Sequence, residues 1–281
     1  MPAARHHSNK RKGKRKGPTM ADRADRHRLY ERSVQDTEFE YDFVNATFRQ
    51  LRGRTPQVLR EDFCGTARMC CEWVRRRKRN RAYGIDLDPE VLAWARRHNL
   101  GRLDTDQRAR VVLLEQDVLE ADTPEPPDLV LAMNFSYQVF TRRDRLRDYF
   151  RSVRESLADD GVFLLDAFGG YDAYREIEEE TEHEDFTYVW DQHHYDPVTG
   201  RLTCYIHFHF PDGSKLKRAF VYHWRLWTLP ELQEILREAG FRKVTVYWQG
   251  TDEEGEPDGI FRPVRRGEAD AGWIAYLSAE V

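Results

Sequence analysis

The stretch Leu59-Arg60-Glu61-Asp62-Phe63-Cys64-Gly65-Thr66-Ala67 sets an acidic residue at the end of a short apolar run, with small residues directly after it. Small side chains let a backbone approach a ligand, and a carboxylate at a strand end offers an acceptor to ligand hydroxyls. About 21 residues beyond the glycine, Tyr83-Gly84-Ile85-Asp86-Leu87-Asp88-Pro89 repeats the device, and Asp86 is placed to accept both hydroxyls of a ribose. The pairing suits a nucleotide-like ligand. Dinucleotide enzymes use the same logic through a GxGxxG turn, which this chain lacks. The competing reading of each acid, taken singly, is a loop cap in a sheet domain with some other ligand. His207 and His209, two apart on one strand face, would ligate metal with His193, His194 or His223, or be ordinary strand polar residues; no metal is expected. Cys64, Cys70, Cys71 and Cys204 form no CxxC pair and read as reduced thiols.

The elements that must position these residues alternate between short apolar runs and helical stretches, the signature of an open parallel sheet. Residues 29–52 read as a helical lead-in, and Gln57 to Arg60 as a strand. A helix over Thr66 to Lys78 follows, then strands over Arg81 to Asp86, Arg110 to Glu115, Asp128 to Met133 and Val162 to Asp166. Pro89 starts a helix behind Asp88, and Arg142 to Leu157 is helical. Phe186 to Trp190, Leu202 to Phe210 and Leu216 to Leu226 are aromatic and β-branched, and turn residues join them as antiparallel hairpins. Thr228 and Glu231 cap a last helix ending at Gly240, and strands over Lys243 to Trp248 and Gly272 to Ser278 close the chain. The acidic, glycine-rich stretch Gly250 to Gly267 reads as a mobile loop or lid.

In this order the motifs resemble those of class I, Rossmann-like S-adenosylmethionine-dependent methyltransferases. Glu61 with Cys64, Gly65, Thr66 and Ala67 is similar to the family's first motif, with Phe63 and Ala67 standing where glycines are common. The resemblance implies a doubly wound α/β sheet of seven strands with an antiparallel β insertion after strand 5. It also implies S-adenosyl-L-methionine as cofactor, with Asp86 on the ribose and Asp117 on the adenine amino group. Leu87 and Val118 would sandwich the adenine, and Asn134, Phe135, Ser136 and Tyr137 would line the methyl-transfer site. Tyr30, on an N-terminal helix, would be a cofactor lid or a helix-packing residue. The aromatic insertion, residues 171–227, is then a substrate cap over a methyltransferase domain spanning 29–281. Its rings would hold an amine or ammonium by cation–π contact, or simply pack a sheet face. Arg225, amid Trp224, Leu226 and Trp227, would pair with a substrate carboxylate or phosphate.

Methyl transfer from a sulfonium is an in-line displacement, so alignment and exclusion of water matter more than an acid–base triad. Asn134, Tyr137 and Arg225 are the residues expected nearest that chemistry; Asp166, His194 and His223 are candidate bases. The whole chain carries a net charge of −4, but residues 1–28 alone hold ten Lys or Arg against two Asp. That stretch is expected to be a disordered basic tail, a nucleic-acid contact or a solvated extension. No apolar run of membrane-spanning length appears, and a cytoplasmic protein is expected. The leading expectation is methylation of a small polar molecule. The alternatives are RNA or protein methylation aided by the tail, and a non-catalytic Rossmann-like binding subunit.

Overall fold

The computed structural model describes residues 17–251, 254 and 257–281. Three helices lead in, α1 (Met20–Arg23), α2 (Arg26–Ser33) and α3 (Thr37–Arg52), and α3 stops at Gly53, whose φ of 66° ends it in the left-handed region. Alternation follows: β1 (Val58–Asp62), α4 (Arg68–Arg76), β2 (Arg81–Asp86), α5 (Pro89–His98), α6 (Thr105–Ala109), β3 (Val111–Glu115), β4 (Leu129–Ala132), α7 (Arg143–Ser156) and β5 (Val162–Gly169). Four antiparallel strands come next, β6 (Ile177–Glu182), β7 (Thr187–Asp196), β8 (Arg201–His209) and β9 (Lys215–Arg225). The chain closes with α8 (Leu229–Glu238), β10 (Lys243–Thr251), β11 (Pro257–Val264) and β12 (Trp273–Glu280).

The main sheet runs β11-β10-β12-β5-β4-β1-β2-β3, with β1 to β5 parallel and β12 antiparallel between β5 and β10. Strand order reverses between β1 and β4, and a parallel sheet opens a ligand crevice at the carboxyl ends of the strands flanking such a reversal. Alternation on the strands feeds two cores. Leu129 and Leu131 join α3, α4 and α5 on one face; Val130 and Ala132 join α7 and α8 on the other. Large side chains such as Trp73 and Phe150 are fully buried there, each stabilising the fold by about 1.5–3 kcal/mol relative to exposure. The second sheet, β6-β7-β8-β9, is a cap, and α1 and α2 pack on it through a cluster that includes Leu29, Ile206 and Phe208.

Several expectations are corrected. Among the described residues the main sheet has eight strands, because the segment read as a mobile lid contributes β11. Pro257, Gly259 and Pro263 gave that segment a loop-like composition, yet Phe261 packs 4.7 Å from the Tyr276 ring and 5.8 Å from Phe39. The cap gains β6, whose run of glutamates shows no apolar alternation; it is an exposed edge strand guarded by charge. Residues 17–28, expected within the basic tail, include α1 and the start of α2, held by Thr19 and Asp25 caps. Residues 1–16 lie outside the described residues. The stretch 29–52, expected as one helical segment, is the end of α2 and all of α3, with a break at Val34, Gln35 and Asp36.

Gly84 shows how tightly β2 fits the loop behind β1. A Cβ there would lie 2.8 Å from Leu113 Cδ2 and 2.9 Å from Cys64 Sγ. The leucine methyl has room to turn, whereas Cys64 is buried and its N–H is bonded to the Ile85 carbonyl at 2.9 Å. Gly84→Ala is therefore expected to cost about 1–3 kcal/mol. Thermal unfolding measures it, and an unchanged midpoint would contradict the packing described.

Candidate active site

The site begins with an ion pair inside the sheet. Arg60 and Asp62 have no exposed side-chain surface, and the guanidinium meets the carboxylate at 2.6 Å and 3.1 Å. The Tyr149 hydroxyl donates to the same carboxylate at 2.8 Å, and Arg60 also donates to the Val118 carbonyl at 3.1 Å. Removing one partner of such a pair costs about 3–5 kcal/mol, because the other charge stays buried. The pair thus fastens the end of β1 to α7 and to the segment after β3. Glu61 turns the other way and accepts the Cys70 N–H at 3.1 Å and thiol at 2.9 Å; burial pushes its carboxyl up to about 7.

Beyond it the loop adopts a glycine-like path without the glycines. Phe63 and Ala67 have φ of 56° and 54°, alongside Gly65 at 51°. Left-handed backbone costs a residue with a Cβ about 1–2 kcal/mol. The Phe63 ring offsets part of this by packing edge-on against Tyr149 at 5.7 Å and Phe140 at 6.1 Å. The Gly65 N–H donates to Asp86 at 2.8 Å, and the other Asp86 oxygen accepts the Asp88 N–H at 2.9 Å.

The loop after β4 is held by the same kind of contact. Asn134 and Phe135 both lie in the left-handed region, at 56° and 58°, and their N–H groups donate to the two Asp166 oxygens at 2.8 Å and 2.9 Å. Burial pushes the Asp166 carboxyl up to about 7 against the opposing pull of those N–H groups. Tyr137, fully buried, donates its hydroxyl to the Asp166 carbonyl at 2.9 Å.

Two cavities open over these loops. One, of about 460 Å³, is lined by Glu61, Cys64, Gly65, Thr66 and Asp86, and is roofed by α2 and β9. The other, of about 480 Å³, lies under the cap between Tyr188, Trp190, Trp224, Phe135 and Phe168. They meet at Tyr30, Asn134 and Tyr222, which line both. The Tyr30 ring stands 4.9 Å from Phe220, and burial pushes its phenol up. Rings of Tyr222 and Trp224 are 4.4 Å apart, with Trp190 about 6 Å from each.

Other expected site residues fall outside both linings. Ala67 is buried behind the loop, Leu87 is 64% exposed, and Val118 is buried. Asp117 accepts the Leu119 N–H at 3.0 Å through one oxygen. Tyr137 belongs to the core under the β4 loop. Arg225 stacks 3.7 Å above the Trp227 ring and pairs with Glu231 at 3.2 Å, so its charge is directed into the α8 junction. Of the candidate bases, Asp166 is committed to backbone and His194 pairs with Glu176 at 2.9 Å. His207 accepts the Arg218 N–H at 2.8 Å and meets Asp191 at 3.2 Å, fixing a bulge between β8 and β9. Among the described residues no group of His, Cys, Asp and Glu is arranged to hold a metal ion. Trp273 and Phe168, which line the second cavity, were not singled out from sequence; their aromatic character at strand ends was the available signal.

Solved structures share this fold. An S-adenosylmethionine-dependent methyltransferase from Clostridium acetobutylicum is 17% identical, with 90% of this chain and 96% of that one covered and a TM-score of 0.66. DesVI of Streptomyces venezuelae is 16% identical, covering 92% and 98%, at 0.65. The amino pentose methyltransferase CalS10 of Micromonospora echinaspora is 16% identical, covering 91% and 96%, at 0.63. At such identities the likeness speaks to the fold. No curated protein matches the chain in sequence. Residues 63–161, from the loop after β1 to the start of β5, match the family model of the methyltransferase domain. Residues 63–161 are thus a methyltransferase domain, in a chain with the fold of class I S-adenosylmethionine-dependent methyltransferases.

The methyltransferase's smaller cavity fits that cofactor on two counts. Its loop side carries the acidic residues Glu61, Asp62, Asp86 and Asp88, which suit a ligand bearing hydroxyls, a sulfonium and an ammonium, while Arg26, His27 and Arg218 stand on the roof. A Cβ on Gly65 would meet no protein atom within 4 Å, so the bare backbone leaves cavity space that a side chain would take.

The raised Asp166 carboxyl gives a signed test. Its ordinary value is 3.8 and its folded value about 7, so between these the folded protein retains a proton that the unfolded chain has released. This group's contribution to stability therefore falls as pH rises from about 4 to about 7 and is level above that. Asp166→Asn is expected to lack that component, so the gap between the wild-type and variant thermal midpoints narrows or changes sign across the window. A gap independent of pH from 5 to 8 would refute the assignment.

Proposed function

We propose that this methyltransferase transfers a methyl group to a small-molecule amine. The supporting observation is the junction at Tyr30, Asn134 and Tyr222, where the cavity holding Glu61 and Asp86 meets an aromatic one. Among the described residues, no Lys, Arg or His lines the aromatic cavity, whereas Asp172 and Glu179 do. Stacked aromatic faces and carboxylates without cations favour a positively charged or amine guest. The structurally similar proteins include an amino pentose methyltransferase and a sugar N-methyltransferase, KedS8 of Streptoalloteichus, which agrees with such an acceptor.

In this reading Asp86 accepts ribose hydroxyls, with Gly65 and Thr66 giving close backbone approach, and Glu61 lies towards the cationic end of the cofactor. Asp117, through the oxygen not engaged by Leu119, together with Leu87 and Val118, serves the adenine if the segments around them close on it. Bound S-adenosylmethionine supplies an activated methyl group. Asn134 and Phe135, fixed by Asp166, set the floor where acceptor and cofactor sites join, and Tyr30 and Tyr222 form its roof. The aromatic walls exclude water and align the amine, which must be neutral to attack, so activity rises with pH until the acceptor's proton is gone.

Cytoplasmic residence accompanies this reading. All four cysteines are buried free thiols, and no helix among the described residues is long and apolar enough to cross a membrane.

Incubation with methyl-labelled cofactor and an amine-rich metabolite pool, analysed by mass, should place label on nitrogen. Asp86→Ala should weaken cofactor binding by about tenfold or more, the scale of a lost charged hydrogen bond. Label appearing in RNA or protein and in no small molecule would sink the acceptor assignment, and cofactor affinity unmoved by Asp86→Ala would sink that of the ribose carboxylate.

A further inference from the structure

A third cavity, of about 260 Å³, lies behind the aromatic one and shares Phe168, Gly169 and Trp273 with it as a common wall. Resting on the amine reading above, we propose that the acceptor is elongated and unphosphorylated, its amine in the larger chamber and an apolar or aromatic arm passing Trp273 into this smaller one.

Size argues for an arm. Pockets for whole drug-sized ligands span about 300–1,000 Å³. The aromatic chamber falls within that range at about 480 Å³, and the smaller falls below it. Tyr174, Leu226, Leu229 and Trp248 line the smaller chamber, so its surface is chiefly apolar.

The partition is built to be thin. Trp273 pairs with Gly169 across β12 and β5, and a Cβ on Gly169 would fall 2.2 Å from the indole. Next to it Gly170, with φ of 107°, would place a Cβ 2.2 Å from the Ala271 carbonyl. Gly169 lets the indole lie against bare backbone, Gly170 lets the next turn pass close to Ala271, and the Trp248 ring stands 5.0 Å from the indole. The side chains of Phe168 and of Trp273, the first residue of β12, therefore separate the chambers.

Charge excludes a phosphorylated arm. Among the described residues neither chamber is lined by Lys, Arg or His, while Glu179, Asp172 and Glu268 are present. The start of α8 borders the smaller chamber, but the N–H groups of Thr228 and Glu231 are already taken by its capping box. Thr228 Oγ1 accepts the Glu231 N–H, and the Glu231 carboxylate accepts the Thr228 N–H at 2.9 Å. A phosphate there would meet a carboxylate.

The test is calorimetry on the full protein saturated with S-adenosylhomocysteine, titrated with ω-phenylalkylamines of increasing chain length and with the matching aminoalkyl phosphates. Affinity should rise roughly fourfold per methylene over the lengths that carry the ring past Trp273, the yield of one buried methylene, and the phosphates should not bind. Leu229→Trp, which fills the smaller chamber, should abolish that rise. Short and long amines binding equally well would overturn the arm while leaving the amine reading intact. Phosphates binding as tightly as amines would overturn the charge argument. Binding of S-adenosylhomocysteine but of no amine would overturn the acceptor reading and this proposal together. The wild-type series decides even if Leu229→Trp fails to fold.

Discussion

The carboxylate of Asp166, buried on β5, takes the N–H groups of two consecutive left-handed residues, Asn134 and Phe135, at 2.8 Å and 2.9 Å. Neither residue is a glycine, so each holds a conformation that costs about 1–3 kcal/mol unless its surroundings impose it. Two hydrogen bonds to one carboxylate, with the Tyr137 hydroxyl on the carbonyl of the same aspartate, impose it here. Asn134 lines both the cavity over the β1 loop and the aromatic cavity, so the meeting point of the two depends on this one contact. A neutral carboxyl, with a proton on one oxygen, would hold the turn less well.

The end of β1 repeats the principle with other means. Phe63 and Ala67 carry side chains where the backbone takes a glycine's path, and the Phe63 ring is anchored on Tyr149, which also holds Asp62. Arg60 and Asp62 tie that strand end to α7 from within the core. Both loops flanking the reversal of strand order are therefore rigid. The parts standing over them are α2 and the cap sheet, held to each other by contacts such as the Arg32 and Asp185 pair at 2.6 Å. Rigid floor and separate roof suit a site that must admit a cofactor and then exclude water.

What could be read from residues alone followed the range of the interactions. Asp86 and Gly65 were legible because strand-end acids and small loop residues form local patterns, and the two in fact bond to each other. Phe63 and Ala67, standing where glycines are common, carry their side chains on left-handed backbone. Asp166 was legible as an acid but not as the clamp on Asn134, because its partners are backbone groups 31 and 32 residues away. Arg225 looked poised for an anion; Trp227 and Glu231, its near neighbours in sequence, absorb it. β6 and β11 were hidden by composition, one by glutamate, the other by proline and glycine. Trp273 meets Gly169 only through the register of β12 on β5, which no local pattern encodes.

The central claim is that the cofactor's reactive end lies at the junction of the two cavities. A crystal structure with S-adenosylhomocysteine tests this most directly. The account predicts the ribose hydroxyls on Asp86, the adenosine along the loop after β1, and the sulfur facing the aromatic cavity beside Asn134, between Tyr30 and Tyr222. An adenosine lodged among Tyr188, Trp190 and Trp224, or a sulfur turned away from Asn134, would contradict it.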